Sequence, residues 1–417
     1  MDIIKLVEEI LEYGPVCNSC LGRFFGKRSF ALSNKERGRA LRIAYSLKKD
    51  IPYEEEENVC WICNDMLKNI DPWAERVVNE LSPYEFDTFL IGTRLPPLIS
   101  ESEEMIWSDL SLLSPEPFKA ELNREVGKKV YEMTGWKFDP EKPDVVAIID
   151  LTNDEVEVQL NPLFFRGRYL KYVRGIPQTH WDCRKCRGEG CEECNFTGKQ
   201  YPESVEELIG KAAIVAFEAE KIILHGSGRE DIDARMLGTG RPFVMEVQNP
   251  RKRKYSLDKL ETDINATAEG KVEARDLSWC TRRDVERVKS SKAYKKYRIL
   301  VDIDTLSSVN DLESAISNLK GIEINQRTPV RVSHRRADRV RKRRVLDISL
   351  VGREEGRYLI EVLGDAGLYI KELISGDEGR TKPNLSELLN ARAEVVTLDV
   401  IEVIENEKAV SVPDNPN

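Results

Sequence analysis

Residues Leu224–Val247 read LHGSGREDIDARMLGTGRPFVMEV. The run interleaves four glycines (Gly226, Gly228, Gly238, Gly240), three arginines (Arg229, Arg235, Arg241) and two aspartates (Asp231, Asp233). Upstream, Glu206–Leu224 has apolar residues at helical spacing and reads as a helix. The closing apolar run, Phe243–Val247, reads as a strand. Glycine lets the backbone take positive φ and approach a ligand closely. Arginine forks match phosphate geometry, which makes Arg229, Arg235 and Arg241 candidate phosphate contacts. A carboxylate among guanidiniums stays ionised, which suits a nucleophile or base better than an acid. The plain alternative is a polar loop with solvated ion pairs, and the density of glycine and charge over the whole run argues against it.

Gly228-Arg229-Glu230-Asp231 resembles the GR-x-D element of pseudouridine synthases, in which the aspartate is the catalytic residue. The longer run GREDIDARMLGTGRPF is similar to the THUMP-bearing tRNA pseudouridine synthases of archaea and eukaryotes, the tenth family in the usual naming. The resemblance implies formation of pseudouridine in the TΨC loop of tRNA, at uridines 54 and 55, with Asp231 as nucleophile. Asp233 is the fallback carboxylate, because Asp231 is the one at the GR-x spacing.

At 417 residues the chain is long enough for two or three domains with their own cores. No apolar stretch is long enough to span a membrane, and MDIIKLVEEILEYG is an amphipathic helix pattern rather than a signal peptide. A cytoplasmic protein with no membrane association follows as the expectation. The net charge is −9, which by itself argues against an RNA partner. Local fields decide RNA binding, however. Thr328–Arg344 (TPVRVSHRRADRVRKRR) contains eight basic residues and one acid, Arg251–Lys254 is RKRK, and Arg166–Arg174 is RGRYLKYVR. Such basic segments in an acidic chain suggest an electrostatic footprint. Arg335 and Arg336 in the first run, and Arg166 and Arg168 in the third, are candidate RNA contacts.

Residues 1–80 are expected to form a helical module with helices over Asp2–Tyr13 and Asn34–Lys49, Asn34 serving as N-cap. Cys17, Cys20, Cys60 and Cys63 form two CxxC knuckles, which suit one closed tetrahedral zinc site of structural type. Residues 81–180 are expected to be an α+β RNA-binding module, with strands at Phe86–Ile91, Val145–Leu151 and Val156–Leu160 and a helix over Ala120–Met133. The stretches PDVVAIIDL and QLNPLFFRGRY resemble the end of a THUMP domain, which implies a grip on tRNA. Residues 181–202 carry Cys183, Cys186, Cys191 and Cys194, a second candidate metal cluster with a tight spacer. Zinc is one reading of it; an iron–sulfur cluster is another. The ninth cysteine, Cys280, reads as a packing residue.

From 203 to 417 the chain reads as the catalytic domain. Ser204 and Glu207 form a capping-box pattern. Strand runs at Arg298–Ile303, Val345–Leu350, Tyr358–Val362 and Val395–Val403 alternate with few helices, one of them Ser307–Leu319. This pattern predicts a mixed, mainly antiparallel sheet with helices on its faces, an α+β fold. Val412–Asn417 reads as a frayed tail.

The resemblance carries two further roles. Tyr297 stands where these synthases carry a tyrosine that stacks on the target base. Lys371, in GLYIKELI with Tyr369 beside it as a candidate substrate contact, stands where a basic residue pairs with the catalytic aspartate. Isomerisation of a flipped uridine needs no organic cofactor, in keeping with the lack of a Walker A run or Rossmann fingerprint. The expected partner is tRNA, and no protein partner is implied. The competing readings are another THUMP-type tRNA modification enzyme and a non-catalytic zinc-containing RNA-binding protein. The first would need a Gly-rich adenosylmethionine loop after a strand, or an ATP loop plus a reactive cysteine, and neither is evident; the set Asp231, Tyr297 and Lys371 separates the synthase from the second.

Overall fold

Alternation of apolar and polar residues pairs the strands of this chain into two sheets, with helices between them. The computed structural model describes residues 2–55, 58–112, 115–306 and 308–404, with the side chains of 334 and 335 excluded. Ser307 and the tail Val412–Asn417 lie outside the described residues. Two compact units result: Met1–Pro162 with Asn249–Arg253, and Leu163–Gln248 with Lys254–Asn417.

In the first unit, β1 (Thr88–Arg94), β2 (Lys137–Phe138), β3 (Val145–Asp150) and β4 (Glu155–Leu160) form a sheet in the order β2-β1-β3-β4. β1 runs parallel to β2 and β3, and β4 folds back antiparallel to β3. The β3–β4 turn is held by Asp150, whose carboxylate accepts from the backbone N–H groups of Thr152 (2.9 Å) and Asn153 (3.1 Å). Helices occupy Ile3–Glu12, Asn34–Lys49 and Phe118–Thr134, close to expectation. The cap of the second is Ser33 rather than Asn34: Ser33 and Glu36 form a full capping box. The cysteine-bearing helices and the sheet share one hydrophobic cluster, in which Val7, Leu21 and Phe24 join Phe89, Phe118 and Val145. Residues 1–80 therefore have no core separate from the sheet.

The second unit holds β5 (Leu163–Lys171), β6 (Lys221–Gly226), β7 (Arg235–Gln248), β8 (Val272–Trp279), β9 (Tyr294–Ile303), β10 (Glu323–Arg327), β11 (Val340–Glu354), β12 (Arg357–Gly364), β13 (Thr381–Lys382) and β14 (Ala393–Ile404). Their order is β13-β10-β11-β12-β9-β14-β7-β5-β8, with β6 paired to β7. Only the β14–β7 contact is parallel. This is the expected mixed, mainly antiparallel α+β sheet. β5 lies between β7 and β8, so Leu163–Lys171 belongs to this sheet and not to the RNA-binding module in which the sequence placed it.

Two expectations near the central loop need correction. The helix over Glu206–Leu224 ends at Phe217, where Glu218 takes a left-handed cap at φ 44°. Lys221–Gly226 is instead β6, because its residues find a complete ladder on β7 from Gln248 to Phe243, and ladder pairing overrides the helical spacing. The strand expected at Phe243–Val247 begins much earlier, at Arg235. It bends at Gly238 (φ 59°) as it passes β14. A Cβ on Gly238 would lie 1.8 Å from the Ile401 carbonyl oxygen. Gly238→Ala is thus expected to lower the unfolding free energy by about 2–4 kcal/mol, from overlap and positive-φ strain together, measured by urea denaturation.

Candidate active site

The loop Ser227–Ala234 connects β6 to β7, and its geometry is set from beneath. Gly228 has φ 76°, and a Cβ there would meet Lys295 Nζ at 2.8 Å. Glu230 points inward and its side chain is 1% exposed, as is that of Arg241, whose Nε lies 2.9 Å from Glu230 Oε2. Tyr169 donates its hydroxyl to the Glu230 carboxylate at 2.8 and 2.9 Å. Burial pushes the Glu230 carboxyl up, but Arg241 and Lys171 outweigh it and hold the group below its ordinary range. Arg241 also donates to the Ser227 carbonyl at 2.7 Å.

Asp231 points the other way and is one-third exposed. Arg331 donates to it at 3.0 Å and to Glu372 through Nε at 2.6 Å. The guanidiniums of Arg331 and Arg336 each lie 6.0 Å from the Tyr369 ring centroid, and Arg336 donates to the Tyr369 hydroxyl at 2.8 Å. Tyr369 is fixed by buried Gln326, which donates to its carbonyl at 2.9 Å and accepts from its N–H at 2.8 Å. Lys371 Nζ lies 2.6 Å from Asp233, not on Asp231. The pairing expected from sequence is replaced: Arg331 takes the aspartate at the GR-x spacing and Lys371 takes the next one. Burial pushes the Asp233 carboxyl up and Lys371 more than offsets it.

Tyr297 sits on β9, 8% exposed. Burial pushes its hydroxyl up to about 12, with Arg241 opposing and Asp231 adding to the rise, so the phenol is neutral at physiological pH. Lys295, two residues earlier on the same face of β9, is pushed down to about 7 by burial and by Arg241.

The remaining sequence candidates divide. Arg229 lies 4.8 Å over the Trp181 ring. Arg235 forks onto Asp399 through Nε (3.1 Å) and a terminal nitrogen (2.6 Å). Arg241 is buried on Glu230, so its charge is used inside the protein and is not presented to a phosphate. Arg166 donates to Ser278 Oγ, and Arg168 to the carbonyls of Thr239 (2.6 Å) and Val403 (3.1 Å). The Arg335 side chain lies outside the described residues. Arg331, Gln326, Glu230 and Gln178 went unnoticed in the sequence; for Arg331 the only signal was its place in the basic run.

The two cysteine groups assemble as their spacing predicts. In each, four sulfurs lie within 4.8 Å of one another. Cys17–Cys63 are 3.7 Å apart, Cys183–Cys191 3.9 Å and Cys186–Cys194 3.8 Å. A tetrahedral zinc with ~2.3 Å bonds needs sulfurs about 3.8 Å apart. Backbone N–H groups of Cys20, Gly190, Cys191 and Gly198 point at sulfurs at 3.1–3.3 Å, as thiolate ligands require. Both groups can hold a metal ion.

Two family models match the chain: "Pus10, C-terminal" over residues 164–404 and "Pus10 THUMP domain, archaeal" over 73–150. Proteins named tRNA pseudouridine synthase Pus10 align nearly end to end. That of Halorubrum lacusprofundi is 44% identical over 97% of this chain and 96% of its own. That of Pyrococcus furiosus is 40% identical over 97% and 98%. That of Archaeoglobus fulgidus is 46% identical over 82% and 94%. Among solved structures, a Cbf5-Nop10-Gar1 complex is similar at 18% identity over 49% of this chain and 47% of that one, with a TM-score of 0.31. The matched models and relatives define an isomerase, a pseudouridine synthase carrying a THUMP domain. The chain belongs to the Pus10 family.

Asp399 joins the loop's exit to β14 by holding Arg235 and Arg174, the latter at 2.6 Å. Burial raises its carboxyl and the two arginines lower it further, for a net depression. A depressed carboxyl stabilises the fold above its unfolded pKa of about 4 and loses that contribution as pH falls through the folded value. Asp399→Asn is therefore expected to lower Tm at pH 7 and to bring the variant closer to wild type below pH 4, measured by calorimetry across pH.

Proposed function

We propose that this enzyme converts uridine to pseudouridine in the TΨC loop of tRNA, at positions 54 and 55, with Asp231 as nucleophile. The observation that carries the reading is the orientation of adjacent carboxylates: Glu230 is locked into the core while Asp231 faces outward beside Arg331. Arg331 aims Asp231 through their 3.0 Å contact. Tyr297 offers a buried aromatic face for the flipped base, whose extrusion costs a few kcal/mol. Asp231 attacks C1′ of the sugar as the N1–C1′ bond breaks, the uracil turns, and C5 attacks C1′ as the aspartyl–C1′ bond breaks and frees Asp231. The C5 proton is lost and N1 ends protonated, so the reaction balances without a second substrate. Lys371 acts through Asp233, and Tyr369 with Arg336 lines the approach for the phosphate backbone, together with Arg229. The cytoplasm, where tRNA is matured, is the expected location.

Both cysteine groups suit zinc in a structural role, since four thiolates leave no open coordination position. Cys17, Cys20, Cys60 and Cys63 would hold one ion and Cys183, Cys186, Cys191 and Cys194 the other. Metal analysis of the purified chain is expected to find zinc at both groups; iron with a visible charge-transfer band would overturn the zinc assignment for the second.

The decisive assay maps pseudouridine by carbodiimide labelling and primer extension on an unmodified tRNA transcript. Wild type is expected to mark the TΨC loop. Asp231→Asn should lose at least about 10³-fold in rate while still binding tRNA, and Asp233→Asn should lose much less. Full activity in Asp231→Asn would remove it from the mechanism, and no mark from a folded wild type would remove the substrate.

A further inference from the structure

The GR-x-D run is gripped from one side by a single short segment. Lys171, at the end of β5, is fully buried and donates to the carbonyls of Ile176 (3.0 Å) and Ile232 (3.1 Å), with that of Asp231 at 3.5 Å. Gln178 donates to the Gly228 carbonyl at 3.1 Å and the Tyr169 hydroxyl at 2.8 Å. Trp181 carries the Arg229 guanidinium on its ring at 4.8 Å. This segment runs directly into Cys183.

The knuckle that follows has a stem and a tip. Asp182 and Lys199 form a β-bridge. Cys183 N–H donates to the Gly198 carbonyl at 2.7 Å and Gln200 N–H to that of Trp181 at 2.9 Å. Tyr201 meets Trp181 edge-on at 5.7 Å. Beyond the stem the tip has no apolar core: between Arg184 and Glu203 no hydrophobic side chain is buried, and Phe196 is 74% exposed. The first cysteine group differs, since Cys17, Cys20, Cys60 and Cys63 lie within the hydrophobic cluster of their unit. A loop without a core is ordered by whatever its four thiols bind.

We propose that the second cysteine cluster is a staple for the catalytic loop: a thiolate-preferring divalent metal on Cys183, Cys186, Cys191 and Cys194 closes the stem, and the stem holds Trp181 and Gln178 against Arg229, Gly228 and Glu230. Trp181 and Gln178 are positioning residues that act through the loop. The inference rests on the assignment of Asp231 above. It separates the two metal sites by role: the first braces a core, the second sets the aim of the nucleophile.

The test uses the full chain as wild type, Cys186→Ser/Cys194→Ser, Trp181→Ala and Trp181→Phe. Four readouts are taken: metal content, tRNA Kd, single-turnover rate, and hydrogen exchange in peptides covering residues 226–234. The cysteine variant is expected to lose one metal equivalent, to exchange faster in 226–234, and to fall about 10–100-fold in rate with Kd changed less than about 3-fold. Trp181→Ala should reproduce the exchange and rate effects with both metals retained, and Trp181→Phe should restore most of the rate by keeping an aromatic face for Arg229. Should the cysteine variant unfold, the Trp181 pair carries the test. Unchanged loop exchange and rate in a metal-depleted cysteine variant, or in Trp181→Ala, would overturn the proposal. So would a loss of tRNA affinity matching the loss of rate, since the knuckle would then be an RNA contact. If wild type forms no pseudouridine, the assignment of Asp231 fails, while the exchange comparison still decides whether the knuckle holds the loop.

Discussion

The buried pair of Glu230 and Arg241 is the constraint on which the rest of the site depends. Both side chains are 1% exposed and 2.9 Å apart. Removing either partner from such a pair would strand a charge in the core at a cost of about 3–5 kcal/mol. Hydrogen bonds offset part of the cost of burying the pair: Tyr169 donates to the carboxylate, and Arg241 donates to the Ser227 carbonyl. Arg241 comes from β7, Tyr169 from β5 and Ser227 from the loop, so one ion pair fixes the loop to two neighbouring strands. Adjacent Cα atoms are ~3.8 Å apart, and anchoring Glu230 leaves Asp231 little freedom in where it begins. The variable position of the GR-x-D element is, in this chain, its anchor.

Above that anchor the charges alternate. Asp231 and Asp233 lie on the solvent side of the loop and face Arg331 and Lys371, which come from different elements. Arg331 is shared with Glu372, so its charge is divided and its guanidinium plane is held by two carboxylates. That arrangement pairs Asp231 with a cation and leaves its side chain one-third exposed. Tyr297, neutral and buried beneath, offers an aromatic surface that does not compete for the same charge. Lys295 has the opposite character: a buried amine next to Gly228, pushed toward neutrality, which limits the positive charge packed under the loop.

What was legible in the sequence was what covalent spacing determines. The GR-x-D run and each of the four CxxC pairs place their groups within a few residues, and the structure brings the pairs together two by two. Strand runs with strict alternation were also legible, as in β12, where every second residue is buried. The helix read through Lys221–Leu224 failed because an apolar run with two adjacent isoleucines fits either period, and only the partner strand decides. Arg331 was illegible for a different reason. Its contact with Asp231 spans 100 positions, and nothing local distinguishes it from the other arginines of its run. Gln326 and Gln178 carry no charge or periodic signal at all, yet each fixes a backbone segment at the site.

The acidic net charge also takes on a different meaning once positions are known. Inside Thr328–Arg344 only Asp338 opposes the eight basic residues, and it is committed to Arg327 at 2.5 Å and Arg380 at 2.9 Å. The run therefore keeps a positive surplus on the hairpin that delivers Arg331 to Asp231 and Arg336 to Tyr369. An RNA backbone drawn to this hairpin by counterion release would be drawn to the element that touches Asp231, the proposed nucleophile. On that proposal binding and chemistry would be coupled through one side chain, since Arg331 belongs to the basic run and to the Asp231 ion pair at once. An overall charge of −9 disfavours indiscriminate attraction of polyanions, and leaves the pull concentrated on the hairpin beside Asp231.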